Sequence, residues 1–211
     1  MNIRLATVVL LAAMDSSSIY AAEKTRVDVY ISDRDDSAQL LGTGKVLASG
    51  IFDHIGVHVV WHNGELPANS PSKPVFAIRT LEHPLESATS TALASARIVG
   101  SSGTEITIYK DRLHRFLADN GSLGGVAAGY VLAHELAHVM QGVARHSESG
   151  ILKANWSRQD FQAMVFHKLA FTPLDVELIH RGLAVQQASR RSEPVLVAAS
   201  DSPAVFNLAE R

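Results

Sequence analysis

The chain has 211 residues, 46% of them hydrophobic, which is enough apolar material for the core of one domain. Its formal net charge of −2, with 19% charged residues, offers no basic patch for nucleic acid and no polybasic membrane surface. No cysteine is present, which excludes disulfides, a thiol nucleophile and lipid attachment at a mature N-terminal cysteine.

In chain order, Arg4 supplies a short positive start, residues 5–14 an apolar stretch, and residues 16–22 a small-residue segment ending in Ala21-Ala22. This pattern predicts a signal peptide over residues 1–22 and a secreted or periplasmic mature protein. Ten apolar residues are too few to cross a bilayer of about 30 Å, so no permanent anchor is expected. Residues 27–31 alternate as a strand does, close enough to the cleavage point that activation by propeptide removal is not expected. Residues 37–52, with Leu40, Leu41, Val46, Leu47 and Ile51, read as a helix in which Gly42 and Gly44 are blemishes.

Residues 57–61 follow as a strand. His54, His58 and His62 stand four apart, but strand spacing separates such positions by about 13 Å per step, which argues against a shared ion. Gly42-Thr43-Gly44-Lys45 lacks the frame of a phosphate-binding loop. Residues 75–79 and Thr104–Tyr109 are further strands, with a proline-bounded loop at 67–74 and a Ser/Thr/Ala-rich connection at 87–96. Thr104–Tyr109 is the candidate edge strand for an extended peptide, the alternative being a buried internal strand.

The densest chemical signal comes next: His134-Glu135-Leu136-Ala137-His138, an HExxH motif, with His146 eight residues beyond the second histidine. Leu123, Val126, Tyr130, Val131 and Leu132 precede it without proline, Ser122 is a candidate N-cap and Gly142 a candidate stop, so the motif is expected on a helix. Gly124, Gly125 and Gly129 each cost up to about 1 kcal/mol in a helix interior, so close packing rather than propensity must hold this one. Helical residues four apart share a face about 6 Å apart along the axis, so His134 and His138 can converge on one cation, here Zn2+. Glu135, rotated off that axis, is the candidate general base. His146, brought back after Gly142, is the candidate third ligand, the alternative being a surface histidine, with Glu148, Asp160 and His167 as substitutes because zinc also accepts carboxylate oxygen.

Over residues 130–156 the chain resembles the metzincin class of zinc metalloproteases, whose pattern is HExxHxxGxxH followed by a methionine-containing turn. This chain reads HExxHxxxGxxxH, one residue longer on each side of the glycine, and continues His146-Ser147-Glu148-Ser149-Gly150-Ile151-Leu152-Lys153-Ala154-Asn155-Trp156, with Leu152 where the turn methionine would stand. The continuation is similar to small exported bacterial metzincin-like proteins. The resemblance implies three-histidine zinc binding, peptide-bond hydrolysis with Glu135 as base, a peptide or protein substrate, and a supporting, non-ligating role for the turn residue. Tyr130, Arg145 and the zinc itself are candidates for stabilising the oxyanion, with structural roles as the alternative for the two side chains.

Downstream, residues 157–168 read as an amphipathic helix with Ser157 as N-cap, and Pro173 can start another running towards Ala188. Trp156 is expected to anchor the core. The element order suits a single α+β or α/β domain over residues 23–190, a small mixed sheet packed against the HExxH helix, and 191–211 are expected to form a flexible tail. The competing reading is a non-catalytic metal- or peptide-binding domain of metzincin descent, favoured by the longer spacing and by Leu152.

Overall fold

Alternation of valine and isoleucine begins the sheet: in β1 (Thr25–Ser32), Val27, Val29 and Ile31 are buried on one face, while Asp28 and Tyr30 take the other. The computed structural model describes residues 24–32, 38–67, 74–83, 93–98, 104–119, 124–143 and 145–192; the expected signal peptide over 1–22, Ser122 and the expected tail beyond Ser192 lie outside the described residues. The remaining elements are α1 (Ala38–His54), β2 (Val57–Asn63), β3 (Val75–Leu81), β4 (Ala94–Ile98), β5 (Thr104–Tyr109), α2 (Lys110–Asp119), α3 (Gly124–Gln141), α4 (Arg158–Val165) and α5 (Pro173–Ser192).

The strands lie in the order β2-β1-β3-β5-β4. The first four run parallel and β4 is antiparallel to β5, making a mixed sheet in a single α/β domain. One hydrophobic cluster joins the inner face of this sheet to α1, α3 and α5 through residues such as Phe52, Ile78, Ile106, Leu136 and Ile179. The opposite face is polar. There His62 Nε2 bonds the Asp28 carboxylate at 2.7 Å and stacks on Tyr30, while Arg26 Nη2 reaches the same carboxylate at 2.8 Å.

Three sequence expectations are corrected. Thr104–Tyr109 is not an edge strand: it is hydrogen-bonded to β3 on one side and to β4 on the other. Its outward Glu105 and Thr107 reflect the polar face of the sheet, which produces the same alternation as an edge. The connection at 87–96 contains the start of β4, whose Ala94-Ser95-Ala96-Arg97-Ile98 has little strand propensity and is extended through its pairing with β5. The helix α2 was not anticipated; it follows β5 directly, with Leu113 buried and Phe116 packed on the core one turn later. Its first turn is stabilised by Asp111, whose carboxylate accepts from the Arg112 N–H at 2.6 Å.

Gly42 to Lys45 lies inside α1. His54, His58 and His62 have separate partners: the Gly50 carbonyl, Asp53 and Asp28. Both C-terminal helices form, α4 with a Ser157–Asp160 capping box but ending at Val165, short of the expected residue 168, and α5 extending beyond Ala188 to Ser192.

Candidate metal centre

The site begins with a seam between α1 and α3. A Cβ added at Gly129 would lie 2.8 Å from the Leu47 side chain, and one at Gly125 would lie 2.8 Å from Thr43. From the other side, Gly44 lies against Ala128. Glycines that weaken a helix in isolation therefore let these two helices approach closely, and packing offsets the lost propensity. From Ala127 to Gln141 every residue is buried except His134, Glu135 and His138, which open on one stripe.

That stripe sets the ring positions. His134 and His138 have centroids 4.7 Å apart, with Nε2 atoms facing one another at 3.1 Å. Gly142 then takes φ +70 and donates its N–H to the His138 carbonyl at 3.1 Å, ending the helix. The chain turns back and brings the exposed His146 ring to 5.4 Å from His134 and 4.9 Å from His138, centroid to centroid. One potential ligand atom from each histidine lies within 4.8 Å of the other two.

A second turn lies against this cluster. The Ile151 carbonyl receives His134 Nδ1 at 2.8 Å and the Trp156 indole N–H at 3.2 Å. A carbonyl only accepts, so His134 carries its proton on Nδ1 and presents a lone pair at Nε2. Trp156 also sets its ring edge-on to His134, 5.6 Å between centroids, so this half-buried anchor steadies the site as well as the core. Ile151 and Leu152 are fully buried. Gly150 is required here: its φ is +79 and an added Cβ would lie 2.4 Å from the Ala170 carbonyl oxygen.

Burial governs the titration of the site. It lowers His134 to about 4, against the opposing effect of the Ile151 carbonyl, and lowers His138 to about 4 with help from the neighbouring imidazoles. Both rings are therefore neutral and able to donate lone pairs at physiological pH. Burial also pushes the Glu135 carboxyl up to about 7. His138 Nδ1 is buried without a hydrogen-bond partner among the described residues.

The substitute ligands are placed otherwise. Asp160 closes the α4 capping box and bonds Lys153 at 2.7 Å, while Glu148 and His167 are exposed. Tyr130 is buried in the core, and Arg145 Nη1 bonds Asp175 at 2.9 Å. Both side chains thus have structural surroundings, the alternative weighed for them from sequence.

One participant escaped the sequence reading. Asp175, fully buried in the first turn of α5, accepts from Arg145, from Ser147 Oγ at 2.5 Å and from the Thr172 N–H at 3.0 Å. These donors hold its carboxyl below the usual range although burial opposes its charge. Thr172-Pro173-Leu174-Asp175 carries the S/T-x-x-D signature of a helix start, but nothing local indicates the two distant donors.

The three histidines, with donor atoms within 4.8 Å of one another, could hold a metal ion. Three imidazoles suit a borderline metal, and bonds of about 2.0–2.1 Å in a tetrahedron put nitrogens roughly 3.3 Å apart. The 3.1 Å between the two Nε2 atoms is close to that edge.

No protein-family model and no curated protein matches this sequence. Among solved structures, the chain is similar to archaemetzincin from Methanopyrus kandleri, with 15% identity and a TM-score of 0.48, covering 79% of this chain and 99% of that one.

Proposed function

We propose that this chain is an exported zinc-dependent peptidase of metzincin-like type, with His134, His138 and His146 as ligands and Glu135 as general base. The observation that carries the reading is the convergence of three imidazole ligand atoms within 4.8 Å, next to a part-buried glutamate on the same helical turn. Zinc bound there would supply Lewis acidity towards a water and towards the scissile carbonyl.

The chain's own residues would do the rest. Glu135, beside the first ligand on the same helical turn, can take a proton from water and return it to the departing amine. The Ile151 carbonyl keeps the His134 proton on Nδ1, away from the ligand position. The edge strand β4, against which α3 packs, replaces β5 as the candidate to pair with an extended peptide.

Export is tested by the mass of the protein recovered outside the cytoplasm, expected to begin after Ala21 or Ala22. Catalysis is tested with Glu135→Gln: the variant should bind zinc like wild type and lose peptide cleavage by at least 100-fold, the lower bound of what a positioned acid–base group contributes. Cleavage that survives this change rejects the mechanism. Leu152 and the longer spacing favour the non-catalytic reading, in which zinc-loaded, folded wild type leaves a broad peptide library intact.

A further inference from the structure

The bend that carries His146 is two residues longer than the metzincin spacing it resembles, and His146 itself is exposed. Packing therefore holds it far less than it holds the two histidines on α3. Its neighbours on both sides are tied down instead. Arg145 Nη1 and Ser147 Oγ both bond Oδ1 of Asp175, across 30 and 28 residues.

The two oxygens of Asp175 divide the work. Oδ2 accepts the Thr172 N–H, while the Asp175 N–H is bonded to Thr172 Oγ1 at 3.2 Å, which completes the helix cap. Capping needs nothing further. Oδ1 is left for the bend, and it sits on a fully buried residue in the first turn of a 20-residue helix. Gln141 joins the same anchorage, donating from Nε2 to the Asp175 carbonyl at 3.3 Å. Ser147 is fixed from its backbone as well, its N–H bonding the Leu152 carbonyl at 2.8 Å.

We infer that Asp175 is a positioning residue for the metal centre, holding His146 towards the α3 histidines by gripping Arg145 and Ser147. The inference rests on the reading of His146 as third ligand. Charge-assisted bonds to a buried carboxylate are the strong kind, and they act here on the residues either side of the ring that must be aimed. The extra length of the bend is thereby accommodated without leaving its histidine free to swing.

The test measures the zinc affinity of the full mature protein by chelator competition in wild type, Asp175→Asn, His146→Ala and the double variant. Asp175→Asn should weaken zinc binding by about 10–100-fold, the usual cost of losing an outer partner of a ligand. His146→Ala should weaken it further, and the double variant should be no worse than His146→Ala alone. With cobalt in place of zinc, the visible absorption of Asp175→Asn should shift towards that of His146→Ala. Wild-type affinity in folded Asp175→Asn, beside a weakened His146→Ala, overturns the inference, as do losses that simply add. Full affinity in His146→Ala instead overturns the third-ligand reading itself. If Asp175→Asn does not fold, Ser147→Ala and Arg145→Gln each remove one donor. Each should then lower affinity several-fold with the same lack of additivity, and wild-type affinity in both sinks the idea.

Discussion

The two halves of the candidate centre are held by different forces. On α3, His134 and His138 ride on a helix seated by glycines, with Gly125 and Gly129 lying under Thr43 and Leu47 of α1. After Gly142, the exposed His146 is fastened through its neighbours Arg145 and Ser147 to Asp175, while Ile151 further along the bend is buried and bonds the Ala170 carbonyl. Dense packing resists any change of volume, while a polar tether resists displacement only as long as its partners remain. The contrast makes the helical half the rigid reference and the bend the adjustable part.

Metal removal should separate the halves most sharply. Zinc at 1,000 times its dissociation constant stabilises the folded state by about 4 kcal/mol, so chelation should lower the melting temperature visibly. Hydrogen exchange should rise most in residues 145–153 and least along the α1–α3 seam. Equal protection changes in both places would remove the distinction.

The next effect falls on the seam. Gly129→Val places a branched side chain where a Cβ alone would already be 2.8 Å from Leu47, and should cost about 2–3 kcal/mol of unfolding free energy in urea. An unaltered midpoint would mean that the helices do not approach this closely.

Between pH 7 and pH 5 acid should act mainly on the helical half, because the Asp175 carboxyl is held below its usual range. In metal-free protein, His134 and His138 lie at about 4 while the unfolded chain protonates them near 6.5. The stability present above about 6.5 is therefore lost as pH falls towards 4. Glu135, raised to about 7, acts in the opposite direction, costing stability as pH rises from 4.5 to 7. Two histidines outweigh one glutamate, so the urea midpoint should be lower at pH 5 than at pH 7. Glu135→Gln should steepen that fall, and a flat profile contradicts the burial-driven shifts.

The smallest effect is expected at the join between the halves. Trp156→Phe keeps the ring near His134 but removes the N–H that reaches Ile151. About 1 kcal/mol should be lost in thermal unfolding, with zinc affinity changed only a few-fold. A loss as large as that of Gly129→Val would make Trp156 part of the rigid half.

Much of the fold was legible because hydrophobic period reports local geometry. β1, β2 and β3, α1, the motif helix and both C-terminal helices fall where valine alternation, leucine spacing, Ser157 and Pro173 put them. β4 was not legible, since Ala94-Ser95-Ala96 has no preference that survives without β5 beside it. The placing of Thr104–Tyr109 at an edge failed for the same reason: strand neighbours are a tertiary choice.

Local sequence alone determined that His134 and His138 share a face, because 3.6 residues per turn leaves them no other relation. The tertiary structure decided where His146 stands, what holds it, and which strand forms the edge. A bend of that length has many conformations, and the groups selecting one of them, Asp175 and the Ile151 carbonyl, are neighbours only once the chain has closed around its core.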